Sequence, residues 1–314
     1  MPGQTLPGPG ARRAAGRDIF APVRGHPYLL LSGAALLWAG NFVLGRAMRG
    51  HIPPVGLAFW RWALALVVLL AVYGRRLVAQ RSLLLDRLPV VVALGILGVG
   101  NFNLFLYLGL QETTATNALL LNAAAPAFIL AISFAAGQGR PTGRMVLGVL
   151  LSLAGVAVIL SQGRLASLAA LRLNPGDLWV LAAVLSWAAY TVLLGRRPPG
   201  VEPMVLLTAL ILVGTAWIAP FYAWEMARGL RMPLDLAAIA SVLYVGIFAS
   251  IVAYALWNAG VARAGASRAG VSLNLMPAFG TILAVLLLGE PFRLFQAAGI
   301  GLIVAGVTLV QLGR

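Results

Sequence analysis

Two stretches of the chain repeat each other, and that duplication, in so apolar a sequence, restricts the fold more than any other feature. GILGVGNFNLFLYLGLQETTATNALLLNAAAPAF at 95–128 aligns at a constant offset with GIFASIVAYALWNAGVARAGASRAGVSLNLMPAF at 246–279. Both copies close on Pro-Ala-Phe, which sets Pro126 against Pro277. Each copy reads as an apolar helix, a very short turn and a second apolar helix with a proline inside it. The match extends outward. LLWAGNFVLGR (36–46) pairs with VLSWAAYTVLLGR (184–196), and GVLLSLAGV (148–156) pairs with GIGLIVAGV (299–307). Trp38 then meets Trp187, and Asn41 meets Tyr190. Repetition on this scale in a hydrophobic chain points to two related halves with a shared site between them.

The chain is 61% hydrophobic and only 10% charged, where ordinary soluble domains carry about 25% charged residues. A run of about 20 apolar residues spans a bilayer. Ten such runs are laid out here, at 27–46, 54–73, 88–110, 114–136, 143–161, 176–195, 203–224, 235–258, 267–287 and 292–312. The expectation is an all-α membrane protein with ten transmembrane helices. Residues 27–161 form a first five-helix repeat and 176–312 a second. Five is odd, so the second repeat enters the membrane inverted, and a site is expected near the midplane. Residues 1–26 are rich in Gly, Pro, Ala and Arg and read as a disordered tail. Arg12-Arg13 is not followed by the apolar core of an export signal.

The net charge of +15 comes from arginine alone, for the chain has no lysine. The arginines lie at helix ends rather than in one cluster, which argues against a nucleic-acid partner and makes them reporters of orientation. The side holding both termini carries Arg75, Arg76, Arg81, Arg87, Arg140, Arg144, Arg196, Arg197, Arg263 and Arg268, besides those of the tail. The positive-inside rule puts that side, and both termini, in the cytoplasm. The chain has no cysteine, so thiol chemistry and thiolate metal sites are excluded.

Candidate site residues follow from polar groups placed inside the runs. In the eighth run Gly246, Ser250, Tyr254 and Asn258 recur at i, i+4 and share one helix face. Their partners in the third run are Gly95, Val99, Asn103 and Tyr107, so both halves place an amide and a phenol on one stripe, in swapped order. Such groups either hydrogen-bond between helices or line a cavity, since unpaired polar groups are costly in hydrocarbon. Asn101 lies roughly 200° round the helix from Asn103, and Asn103 is preferred. Trp38, Asn41, Trp187 and Tyr190 lie roughly 15 Å inside their spans. They form either an aromatic wall or plain helix packing. Arg61 is the one charge well inside a span. It either snorkels and ties carbonyls together, or attracts a substrate carboxylate.

Pro126 and Pro277 each remove a helical hydrogen bond and are expected to kink their helices as hinges. Asn122 and Asn274 flank them but do not align. Ala297, Gly301 and Ala305, with Gly148 and Ser152, are small residues suited to close helix packing. Both a monomer and a homodimer fit. No acid lies deep in a span, and there is no glycine-rich phosphate loop, triad or metal-ligand cluster. No enzyme, cofactor or metal is expected. The partners expected are the lipid bilayer and a small-molecule substrate.

Taken together, WAGNF at 38–42, Arg61-Trp62, the two Pro-Ala-Phe helices and LLLGEPF at 286–292 resemble the drug/metabolite transporter superfamily in its ten-helix EamA-type branch. The resemblance covers nearly the whole chain after the tail. It departs at Gln138, where the family's usual glutamate would fall, and in the seventh helix, which lacks an arginine opposite Arg61. The resemblance implies a bacterial inner-membrane exporter of small metabolites working by alternating access, with aromatic and other neutral amino acids as the first choice of solute. A multidrug or nucleoside/purine exporter of the same fold is the near alternative, and a non-transporting membrane scaffold a distant one.

Overall fold

The computed structural model describes residues 26–113, 118, 121–164, 174–288 and 292–312. The expected tail, save His26, lies outside the described residues, as does Glu290 with its two neighbours. All regular structure among the described residues is helical. The main helices are α1 (Pro27–Ala47), α2 (Pro54–Ala79), α3 (Leu88–Glu112), α4 (Ala125–Ala135) and α5 (Gly143–Leu160). They are followed by α6 (Pro175–Leu193), α7 (Pro203–Ala227), α8 (Leu236–Ala264), α9 (Leu275–Leu288) and α10 (Leu294–Leu312).

Helix starts follow from the sequence. Prolines occupy the first turn of α2, α3, α6 and α7, where the missing N–H has no intrahelical partner to lose. Asn174 and Asp177 form a reciprocal capping box on α6, and Asp235 accepts from the Ala238 N–H at 2.8 Å to cap α8. Seven helices, namely α2, α3, α5, α6, α7, α8 and α10, are long and apolar enough among the described residues to cross a membrane. Val67, Val72, Leu178 and Trp224 remain exposed on them, as on a surface that meets hydrocarbon rather than water.

Of the other three expected runs, two give shorter helices among the described residues. α1 has 21 residues, but α4 has 11 and α9 has 14. The reason lies at the prolines. A turn at Ala124 precedes α4, and the short helix Ala266–Gly270 and a 3₁₀ turn at Val271–Asn274 precede α9. Pro126 and Pro277 thus fall in the first turn of a restarted helix, not inside a continuous bent one. Proline has no N–H to give and fits the first turn of a helix, where that donor has no partner, so the helices restart there instead of bending.

The packing pairs helices from the two parts of the chain. α1 lies against the C-terminal portion of α8, and α6 against the C-terminal portion of α3. α1 also packs on α9, as α6 does on α4, while α2 pairs with α7 and α5 with α10. When the two parts are exchanged, the first four of these pairings map onto one another, and α2–α7 and α5–α10 map onto themselves. The α5–α10 seam is the tightest. A Cβ on Gly155 would sit 2.5 Å from the Gly299 carbonyl, and one on Gly306 would sit 2.5 Å from that of Gly148. Ser152 belongs to this seam and is buried. Ala297, Gly301 and Ala305 are exposed instead, because they lie on the opposite side of α10 from Gly299 and Gly306.

Candidate functional site

The site is built outward from Arg61, whose position on the inner face of α2 leaves it completely buried. Its Nε donates to Ser250 Oγ on α8 at 2.9 Å. Its Nη1 donates to Asn103 Oδ1 and Tyr107 OH on α3, each at 2.7 Å, and to Asn41 Oδ1 on α1 at 3.3 Å. The Tyr107 hydroxyl donates in turn to Asn41 Oδ1 at 2.9 Å. The guanidinium also lies 5.0 Å from the Trp62 ring centroid. Arg61 therefore does not snorkel. It joins four helices through side-chain oxygens, and hydrogen bonds to a charged group are worth about 1.5–3 kcal/mol each.

An irregularity that sequence reasoning missed shapes this network. Gly95–Asn101 in α3 and Tyr244–Val252 in α8 are π-helical, so the duplicated stretch carries the same distortion twice. Such turns cluster at functional sites because they re-aim side chains. Here they also leave carbonyls for side chains. Tyr254 OH donates to Gly98 O at 2.5 Å, and Ser250 Oγ to Val245 O at 2.7 Å. Gly98 has to be glycine, since a Cβ there would run into the Tyr190 ring.

Around Tyr254 stands an aromatic cluster. Trp38 and Trp187 meet edge to face at 5.0 Å, and each lies within 5.6 Å of both Tyr254 and Trp257. Phe102 packs on Trp187 at 5.0 Å. Trp38 Nε1 is fixed by the Ala249 carbonyl at 2.9 Å. Between this cluster and the Arg61 network lies a narrow cavity of about 10 Å³, lined by Trp38, Asn41, Phe42, Phe102, Asn103, Asn122, Trp187, Tyr254, Leu273 and Met276. That is room for about one water, far below the about 300–1,000 Å³ usual for small-molecule sites, so a metabolite fits only once the helices around the cavity part.

Of the residues singled out from the sequence, Trp38, Asn41, Asn103, Trp187 and Tyr254 line the cavity. Arg61, Tyr107 and Ser250 sit behind the amide wall and hold it. Tyr190 and Asn258 pair with each other at 2.6 Å, away from the cavity lining. Asn101 accepts from Trp217 Nε1 on α7 and faces away from the cavity. Pro126 and Pro277 are not part of the lining, though Pro277 directly follows Met276, which is. Phe42, Phe102, Leu273 and Met276 were not foreseen, and Asn122 was set aside. Phe42 follows Trp38 by four residues and so shares its helix face, a signal that was available. Phe102 directly follows the π turn of α3, and Asn122, Leu273 and Met276 lie beside the helix breaks.

The model of the EamA-like transporter family matches residues 26–161 and again 174–312. Over 285 residues the chain is 32% identical to an uncharacterized transporter of Archaeoglobus fulgidus, covering 90% of this chain and 96% of that one. It is 29% identical to a probable terminal-alkyne amino-acid exporter of Streptantibioticus cattleyicolor, over 88% of this chain and 91% of the relative. It is 27% identical to a probable amino-acid metabolite efflux pump of Salmonella typhimurium, over 88% and 92%. A solved crystal structure superposes with a TM-score of 0.73 at 25% identity, covering 92% of this chain and 97% of that one.

Proposed function

Because the chain belongs to the EamA-like transporter family, and is a transporter rather than an enzyme, we propose that it exports amino acids, aromatic and other neutral ones, across a bacterial inner membrane. In this reading residues 27–161 and 176–312 are inverted five-helix halves, and both termini are cytoplasmic. The halves rock about the cavity to open it to each side in turn. Pro126 and Pro277, where α4 and α9 restart, are the hinges.

The observation that carries the reading is the cavity itself. One wall is aromatic, from Trp38, Phe42, Phe102 and Trp187, and the other is polar, from Asn41, Asn103 and Tyr254. An amphipathic solute with an apolar side chain and a polar backbone matches both walls, and variation in the side chain is tolerated because aromatic faces are not directional in the way hydrogen bonds are. Several relatives bear names of amino-acid exporters, which supports the choice of solute.

The test is uptake of labelled phenylalanine, threonine and methionine into proteoliposomes, with and without a pH gradient. We expect saturable uptake without the gradient, since no described carboxylate lies deep in a span to relay protons. Uptake confined to the gradient would replace facilitated passage with proton coupling. No uptake of any of the three, with movement of nucleosides or lipophilic cations instead, would overturn the amino-acid reading.

A further inference from the structure

The polar groups round the cavity are out of balance, and the imbalance specifies what the ligand must bring. Arg61 is a buried cation whose hydrogen-bond partners, Ser250, Asn41, Asn103 and Tyr107, are all neutral. The described carboxylates all lie at helix ends or in connections, and none pairs with it. A buried charge without a counter-charge is unfavourable. Guanidinium can only donate, so the amide atoms turned toward it are the oxygens. Asn41 Oδ1 is taken by Arg61 and Tyr107, and Asn103 Oδ1 by Arg61. Asn103 Nδ2 reaches Tyr254 OH at 3.4 Å, and Asn41 and Asn103 thus turn their N–H groups, not their oxygens, to the cavity they line. Trp187 Nε1, on the aromatic wall, is buried with no acceptor. Asn122, whose Nδ2 meets Met276 Sδ at 3.9 Å, is the one lining amide not drawn into this network; the rest of the site has donors and a cation to spare and no anion.

We infer that this cavity recognises its solutes by a carboxylate and is indifferent to an ammonium group. This rests on the reading that the cavity carries metabolites of amino-acid size. A carboxylate supplies both missing elements, a negative charge that balances Arg61 across the amide wall Arg61 holds, and acceptor oxygens for the donors that wall presents. An ammonium group would meet neither. Aromatic faces do attract cations, but a full positive charge within the same cluster outweighs ring quadrupoles for a second one. The solute class is thus organic acids with a compact apolar body, of which zwitterionic amino acids are one kind.

The experiment uses three ligands with one phenyl body. Phenylalanine carries both groups, 3-phenylpropanoate only the carboxylate, and phenethylamine only the ammonium. Binding to the purified full-length protein in detergent at neutral pH is read by quenching of its tryptophan fluorescence. We expect 3-phenylpropanoate to bind within about threefold of phenylalanine, and phenethylamine at least about tenfold more weakly, a factor equivalent to about 1.4 kcal/mol. Arg61→Gln, where it folds, abolishes that discrimination, while the wild-type comparison decides the matter without it. Phenethylamine binding as tightly as 3-phenylpropanoate overturns the inference, and so does failure of both carboxylates to bind. If 3-phenylpropanoate binds and phenylalanine does not, carboxylate recognition stands and amino-acid export falls. If phenylalanine and phenethylamine bind and 3-phenylpropanoate does not, export stands and carboxylate recognition falls.

Discussion

Glu225 offers a quantitative check on how the two parts of the chain hold together. It lies near the end of α7, is 3% exposed, and accepts from the backbone N–H groups of Val55 at 3.0 Å and Gly56 at 2.6 Å. These belong to the first turn of α2, where N–H groups have no intrahelical partner. Pro53 ahead of them gives no side-chain cap. A carboxylate at a helix N-terminus is favourable for the helix dipole as well. Glu225→Ala removes two charge-assisted bonds of about 1.5–3 kcal/mol each. Water refills part of this loss at a helix end, leaving a net cost of about 3 kcal/mol. Glu225→Gln keeps one acceptor and should cost about half as much. At about 2 °C per kcal/mol for a chain of this size, thermal unfolding in detergent should shift down by about 6 °C for Ala and about 3 °C for Gln. The other end of the α2–α7 pair is the control. Arg76 reaches Glu202 at 2.8 Å with both groups partly exposed, and such pairs contribute about 0–1 kcal/mol. Arg76→Ala should therefore shift the midpoint by no more than about 2 °C. Equal shifts for Glu225→Ala and Arg76→Ala would refute the claim that burial makes Glu225 the stronger clamp.

Further expectations follow from the same geometry. Alanine at Asn41, Asn103 or Tyr254 should lower flux in proteoliposomes while the protein still elutes as a folded species; unchanged flux in all three would remove the site assignment. Gly155→Leu drives a side chain into the Gly299 carbonyl, and overpacking of at least about 1–3 kcal/mol should reduce the yield of folded protein, whereas Gly301→Leu, which faces open space, should not. The Asp235 carboxyl is held below its ordinary value of 3.8 by the Ala238 N–H first, and by His51 beside it. Its folded pKa is depressed, so its contribution is complete above that ordinary value and is lost as pH falls through the lower, folded one. Unfolding midpoints measured on either side of pH 4 should then drop less in Asp235→Asn than in the wild type, and an identical drop would argue that the charge does nothing.

Much of this site was legible in the sequence. Apolar runs and their duplication are properties of local composition and spacing, so the helical membrane class followed from them directly. Trp38 and Trp187, like Asn103 and Tyr254, were conspicuous because a polar or bulky group recurred at matched places inside runs that are otherwise aliphatic. What Arg61 does was not legible. Its partners come from three other helices, and only packing decides whether a buried arginine finds carbonyls, amides or an acid. The breaks before Pro126 and Pro277 escaped for a related reason. A proline forbids certain backbone conformations, but the choice between a kink and a restart depends on what the neighbouring helices will accommodate.

The sequence by itself determined that this chain is a bundle of apolar helices with polar groups at repeated depths, because periodicity and hydropathy act within one segment. Tertiary structure alone decided which of those groups face one another, where the π turns fall, and that Asn41 and Asn103 turn their oxygens to Arg61. Those are outcomes of hydrogen-bond exchange between residues remote in the chain, and no single segment carries the information to settle them.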